Sequence, residues 1–336
     1  MKRRVLASAL AAALAWLDGC DAETGPAAVG SRADAAMAGD ALVGSDANTT
    51  SATDASPKTS SDAADESGPG LDGGAEVGPT GGGRTAVDWA DAWLAGWTGA
   101  GKGTNVYAHE SAGVPLVVQW GSDPGTGGLY LATSDCSFFG AHTFERAYGW
   151  TDAGLVDWLC GGSCPAHRPQ AVHFHDAIVA GDHFADITDV EQIQRNDVVA
   201  IKYLDYPSAT PDTGHFMLAR AAPTVLCASC SPVEYALAID DSADGYHGTA
   251  DARYIAHTCT TDADCSTFTD ARCDGATGHC SYTGIGTGTL RLLADGSHTL
   301  VGYSWSTASA STRYLLTDTP QTRIIAVGRY DGAPGH

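Results

Sequence analysis

Past its first twenty residues, the 336-residue chain has no apolar run long enough to cross a bilayer as a helix, which takes about 20 consecutive apolar residues. Basic side chains are also scarce, with 18 Lys and Arg against 40 Asp and Glu for a formal charge of −22. Nucleic-acid binding rests on neutralising phosphates with Lys and Arg, so that class of partner is excluded. A basic patch docking on an anionic membrane is excluded for the same reason. The scarcity is sharpest over residues 21–84, which contain no aromatic residue, isoleucine, histidine or cysteine. Such a segment cannot bury enough apolar surface to offset its ordering entropy. It reads as a disordered, self-repelling Gly/Ala/Ser/Asp tether.

What is present begins with an export leader over residues 1–20. Met1-Lys2-Arg3-Arg4 is basic, and Val5 to Leu17 is apolar but, at about 13 residues, too short for a mature membrane span. Leu17-Asp18-Gly19-Cys20 resembles a bacterial lipobox, which implies that Cys20 is lipidated and heads the mature protein. The expected location is therefore outside the cytoplasm, on a bacterial membrane through this lipid alone, or otherwise secreted. An exported chain is allowed disulfides.

The folded region is expected over residues 85–336. Trp89, Trp93 and Trp97 recur at i, i+4 and i+8, one face of a helix directed at a core. Strand-like runs follow at Leu116–Trp120, Asp197–Leu204, His215–Arg220, Val233–Asp240, Thr287–Leu293, Thr299–Trp305 and Arg323–Arg329. Helical patterns at Cys136–Gly149, Thr151–Leu159 and Val172–Ala180 lie between the first strand and the rest, and Thr188-Asp189-Val190-Glu191 has the spacing of a capping box. Helices followed by a series of strands predict an α+β architecture.

Ten cysteines punctuate the chain. Cys259, Cys265, Cys273 and Cys280 fall in a short Asp/Thr/Gly-rich stretch and predict a two-disulfide knob inserted at residues 258–282. Zinc is the rival for four cysteines, but an oxidising compartment and irregular spacing favour disulfides. Cys160/Cys164 and Cys227/Cys230 are two further close pairs, which can bridge within themselves or to each other. With Cys20 assigned to lipid, Cys136 is left over.

Ser134-Asp135-Cys136-Ser137-Phe138-Phe139 sits where a loop turns into a helix. Backbone N–H groups and the positive end of the helix dipole favour a thiolate there. His215 opens an apolar strand, with Phe216 and Leu218 directed to the opposite face. Tyr235-Ala236-Leu237-Ala238-Ile239-Asp240-Asp241 ends a neighbouring strand in carboxylates. A cysteine nucleophile needs a base within reach and a third polar group to orient that base. Cys136, His215 and Asp240 fill those roles in that order, with Asp241 on the other face of the strand as the alternative.

Asp135-Cys136-Ser137-x-Phe139 resembles the nucleophile motif of the NlpC/P60 family of papain-like cell-wall cysteine peptidases. Asn196-Asp197-Val198-Val199-Ala200 is similar to a strand start of that family, Gly214-His215-Phe216 to its histidine strand, and Trp120-Gly121 to its Trp-Gly segment. The likeness covers roughly residues 105–245. It implies a papain-like fold of helices packed on an antiparallel sheet, and hydrolysis of amides in peptidoglycan stem peptides, with peptidoglycan or peptide as substrate. Val118 stands where the family has a tyrosine that assists the oxyanion, Phe138 where a glycine follows Cys-Ser, and Asn196 where a glycine precedes the aspartate. The Cys136 N–H can still serve as one oxyanion donor, with Gln119 a candidate second. Trp120, Asp241 and His247 are further candidates around the substrate. No cofactor is expected, and the chain is read as a monomer.

Two other constellations compete. Asp240, Ser242, Asp244, Gly245 and Asp251 match much of a calcium loop, although a strand precedes it and no helix follows. Arg253 and His247 in that stretch read as solvated or substrate-facing. His173, His175, Asp182 and His183 form a second histidine cluster, with a His-x-His spacing better suited to a strand. The alternatives to a hydrolase are accordingly an inactive papain-like binding or structural module and a calcium-stabilised adhesion domain.

Overall fold

The structure is a computed structural model that describes residues 83–98, 102–109, 115–164, 168–204, 213–275, 277–333 and 335. The expected leader, Cys20 and nearly all of the expected tether lie outside the described residues.

Helix α1 (Ala86–Thr98) starts where Thr85 and Asp88 exchange hydrogen bonds around its first turn. Its tryptophan stripe faces inward as expected. Trp93 and Trp97 are buried and stacked, and their indole N–H groups donate to the carbonyls of Gln119 and Gly103. Strands β1 (Lys102–Tyr107), β2 (Val117–Gln119) and β3 (Tyr130–Ser134) make a small sheet in the order β1-β3-β2, with β1 parallel to β3. β1 and β3 were not foreseen. Neither carries a strong alternation of its own, and each is held by pairing with the other. They place three strands between α1 and the later helices, where the sequence predicted only β2.

Helix α2 (Cys136–Tyr148) is capped by Asp135, whose carboxylate accepts from Phe138 N at 2.9 Å, and it ends on a left-handed Gly149. α3 (Asp152–Cys160) and α4 (Ala171–Ala180) follow. α4 carries the His-x-His pair, so that stretch is a helix despite its spacing. Nδ1 of His173 accepts from Gln170 N in the first turn, His175 pairs with Asp176, and His183 pairs with Asp331. Asp182 accepts from the Trp158 indole. These four residues therefore have separate partners and do not converge on a metal.

The remaining strands are β4 (Phe184–Asp186), β5 (Val198–Tyr203), β6 (Gly214–Ala219), β7 (Thr224–Cys227), β8 (Val233–Ala243), β9 (Tyr254–Thr258), β10 (Arg272–Asp274), β11 (His279–Ser281), β12 (Gly284–Ala294), β13 (Leu300–Ser304), β14 (Arg313–Leu315) and β15 (Arg323–Tyr330). Nine form one antiparallel sheet in the order β14-β13-β12-β8-β6-β5-β15-β4, with β7 added alongside β8. The capping-box segment before β5 makes only a short 3-10 turn at Val190–Gln192, capped by Asp189. β9, β10 and β11 form the expected knob, pinned by Cys259–Cys273 and Cys265–Cys280. The other two close pairs bridge within themselves, Cys160 to Cys164 and Cys227 to Cys230. The chain is thus α+β with a mainly antiparallel sheet. No described helix is long and apolar enough to cross a membrane.

Both faces of the large sheet are covered. On one, Phe216 and Leu218 of β6 pack with the helices in a cluster that includes Cys136, Phe139 and Phe144. On the other, Met217 and Ala219 of β6 join Tyr235, Leu237 and Ile239 of β8, with Tyr303 and Trp305. This two-faced burial determines where each polar residue of the site points.

Candidate active site

Cys136 is the first residue of α2, buried at 4% exposure and outside all four disulfides. Its Sγ lies 3.9 Å from the carbonyl oxygen of Gly214, the residue before His215. α2 presses directly on β6, since a Cβ added to Gly140 would fall 2.5 Å from the Phe216 ring. Gly214 itself has φ 147°, and a Cβ there would sit 1.8 Å from the Ile201 carbonyl oxygen, so the histidine strand can begin only with glycine. The nucleophile candidate and the histidine strand therefore meet at the first residue of β6. The ring of His215 leaves that strand on the face opposite Phe216 and Leu218, edge-on to Trp305 at 5.3 Å.

Asp135, just before the cysteine, accepts from Arg168 and lies 3.7 Å from His109 Nδ1. Burial alone would raise its pKa, but His109, Arg168 and the Phe138 N–H hold it at about 2. The helix start is therefore a closed ionic cap, with the Arg168 guanidinium lying over the Phe138 ring.

The partner of His215 is Asp241. His215 Nε2–H donates to Asp241 Oδ2 at 2.6 Å, both groups being buried. Asp240, expected as the orienting carboxylate, points to the other face of β8. It pairs there with Arg220 at 3.1 Å, and Arg220 also binds Asp91 of α1. The correction follows from the two-residue period of a strand. Tyr235, Leu237 and Ile239 share the face of Met217, and Asp241 is the next residue of that row.

Asp241 is also the centre of a larger polar cluster. His247 Nε2–H donates to the same Oδ2 at 2.8 Å, and its Nδ1 lies 3.0 Å from the Trp305 carbonyl. Arg253 Nη2 sits 2.8 Å from Asp241 Oδ1 in the geometry of an ion pair rather than a hydrogen bond. Arg253 also grips Asp251 from Nε and Nη2, and Asp251 accepts from His247 N. All five residues are at most 6% exposed, so Arg253 and His247 are interior groups, not the solvated loop residues anticipated. Two glycines of β12 make room for them. A Cβ on Gly286 would meet Arg253 at 2.6 Å, and one on Gly288 would meet His247 at 2.8 Å. The Gly-Ile-Gly-Thr-Gly run was the available signal, since glycine in a strand interior often marks a close approach.

Charge follows from this arrangement. Burial pushes Asp241 up, but Arg253, His247 and the histidine hydrogen bonds outweigh it and hold the carboxylate well below its ordinary range. Burial lowers the His215 pKa in spite of Asp241. For His247 burial acts the same way, but the charge of Asp241 prevails and raises it.

His215, Asp241 and His247 bring three ligand-capable atoms within 4.8 Å of one another. Their contacts of 2.6 and 2.8 Å are hydrogen-bond lengths. Two ligands of a tetrahedral metal at its usual bond length stand about 3.3 Å apart. The trio is arranged as a hydrogen-bonded cluster, with Arg253 on the second oxygen of the carboxylate.

Other candidates are placed elsewhere. The Gln119 amide donates to the Leu129 carbonyl, and the Trp120 indole, 1% exposed, donates to the Trp89 carbonyl. The residues of the competing calcium-like loop do not converge. Ser242 Oγ donates to the Ser134 carbonyl, Asp244 pairs with Arg272, Asp251 with Arg253, and Asp240 faces the helices.

No family model and no solved structure matches the chain. The chain is similar to an uncharacterized protein of Acanthamoeba polyphaga mimivirus, 24% identical over 239 residues, covering 68% of this chain and 89% of the viral one.

Proposed function

We propose that the protein is an exported cysteine hydrolase of papain-like build that cleaves amide bonds, with Cys136 as nucleophile, His215 as base and Asp241 as the group that orients it. The observation that carries this reading is the 2.6 Å bond between His215 Nε2 and the buried Asp241. It assigns the ring proton to Nε2 and leaves Nδ1 as the basic nitrogen, on the residue that follows the carbonyl touched by the Cys136 sulfur. In the reaction, the thiol proton passes to His215 Nδ1 and the thiolate adds to the amide carbonyl carbon. The oxyanion takes the Cys136 N–H, one of the first-turn donors that a helix leaves without an intrahelical acceptor. Collapse breaks the C–N bond as Nδ1 protonates the leaving amine, and water then hydrolyses the thioester. Peptidoglycan stem peptides are the proposed substrate on the strength of the motif resemblance.

The test is release of soluble peptides from purified sacculi by wild type, Cys136→Ala and His215→Gln. Release by wild type that falls at least about 100-fold in both variants is expected. Equal release by wild type and Cys136→Ala would end the hydrolase reading. The second reading, an inactive papain-like module, is favoured by Val118 at the tyrosine position and by the engaged Gln119 amide. Sacculus binding without release by wild type would select it.

A further inference from the structure

We propose that His247 is held as a doubly protonated imidazolium whose charge keeps His215 neutral with Nδ1 basic, which makes His247 a positioning residue for the catalytic histidine. The proposal rests on the hydrolase reading for its catalytic consequence, and on geometry alone for its charge state.

The geometry fixes both ring protons. His247 Nδ1 faces the Trp305 carbonyl at 3.0 Å, and a carbonyl oxygen can only accept. His247 Nε2 faces Asp241 Oδ2 at 2.8 Å, and an ionised carboxylate can only accept. A neutral imidazole would set a lone pair against one of these oxygens in a site with 6% exposure. An imidazolium satisfies both.

The charged and titratable groups around the ring agree. From β8 comes Asp241, from β6 His215, and from the loop between β8 and β9 Asp251 and Arg253. Gly288 of β12 leaves the space the ring fills. Asp241 and Asp251 supply two negative charges, and Arg253 supplies one positive. One further proton makes the cluster neutral, and the two imidazoles, 6.1 Å apart and bound to one oxygen, compete for it. Among the described residues, His247 has acceptors at both nitrogens, whereas His215 has Asp241 at Nε2 alone, so the proton resides on His247. With that charge beside it, His215 stays unprotonated at Nδ1 and ready to take the thiol proton.

The experiment uses full-length protein labelled with 15N at histidine, followed by NMR from pH 5 to pH 9. One imidazole, assigned as His247 by its loss in His247→Gln, should remain protonated at both nitrogens at pH 8. His215 should carry its single proton on Nε2. In His247→Gln, which keeps a donor to Asp241 but not the charge, the His215 titration should move up by about one to two pH units. The pH profile of Cys136 alkylation by iodoacetamide should move by the same amount. A singly protonated His247 at pH 8 would overturn the proposal, as would an unmoved His215 titration in His247→Gln. A His247 signal displaced by chelator would also overturn it, because the site would then hold a metal. If His247→Gln does not fold, the wild-type titration decides, with His247 assigned through its contact with the stacked Trp305 ring. Alkylation indifferent to His215→Gln, with both titrations as expected, would reject the cysteine hydrolase and leave the coupling of the two histidines standing.

Discussion

Asp240 and Asp241 are neighbours in one strand, both with 0% exposure, yet their surroundings drive them in opposite directions. Neither oxygen of Asp240 receives a hydrogen bond, and burial pushes its pKa well above the usual range, with Arg220 only partly offsetting this. Asp241 is buried as deeply, but two imidazole N–H groups and a guanidinium outweigh that burial. Burial alone therefore does not identify a working carboxylate. What separates the pair is the number of donors preorganised around each, and that is set by which face of β8 the residue occupies.

Substitution of each carboxylate by its amide tests this contrast most directly. Asp241→Asn keeps the shape but removes the charge that Arg253 and His247 share. Breaking a buried ionic network from one side costs about 3–5 kcal/mol. Urea unfolding at neutral pH should show a loss of that size, together with loss of any Cys136-dependent hydrolysis. An Asp241→Asn variant as stable at neutral pH as Asp240→Asn would mean that the cluster is not a preorganised unit.

The glycines of β12 give the next largest effect, because they allow the cluster to pack against the sheet at all. Gly286 pairs across the ladder with Asp241, and Gly288 with Ile239. Gly288→Ala would place a methyl 2.8 Å from the His247 ring, among side chains that are all buried. Overpacking of this kind costs about 1–3 kcal/mol. The same change at Gly296, where nothing lies within 4 Å, is the control and should leave the unfolding midpoint within error.

The contrast also shows how far the chain could be read in advance. The α2 start was legible because Asp135 is a strong cap and the hydrophobic positions of the helix recur with its period. Cys136 and His215 stood out because the other described cysteines pair locally and a Gly-His opens an apolar strand. The choice between Asp240 and Asp241 was not legible. β6 and β8 are covered on both faces, so alternation of polarity, the usual indicator of side, is absent from them. Tyr235-x-Leu237-x-Ile239 marked the row of larger side chains, and only the packing of that row beside Met217 shows that Asp241 belongs with His215. The sequence reads Arg253 and His247 as solvated or substrate-facing, and Asp251 as part of a calcium-like loop, because they follow a strand among Gly and Ser. Their burial depends on β12, which lies some thirty residues downstream in sequence and carries the glycines that admit them.

The smallest effect is expected at Asp240, and its sign distinguishes it from its neighbour. A carboxylate with a raised folded pKa contributes stability below its unfolded value of about 3.9, and loses it as pH climbs through the folded value. Asp241, lowered in the fold, contributes stability above about 3.9 and loses it as pH falls toward its folded value. Asp240→Asn removes the first dependence and keeps the second. The variant should therefore match wild type near pH 4 and gain on it as pH rises toward 7, by less than Asp241→Asn loses, while Arg220 retains Asp91. Denaturant midpoints for both proteins across that range measure the difference. A variant that loses ground as pH rises would show that Asp240 is ionised and held by Arg220, and the two faces of β8 would then treat a carboxylate alike.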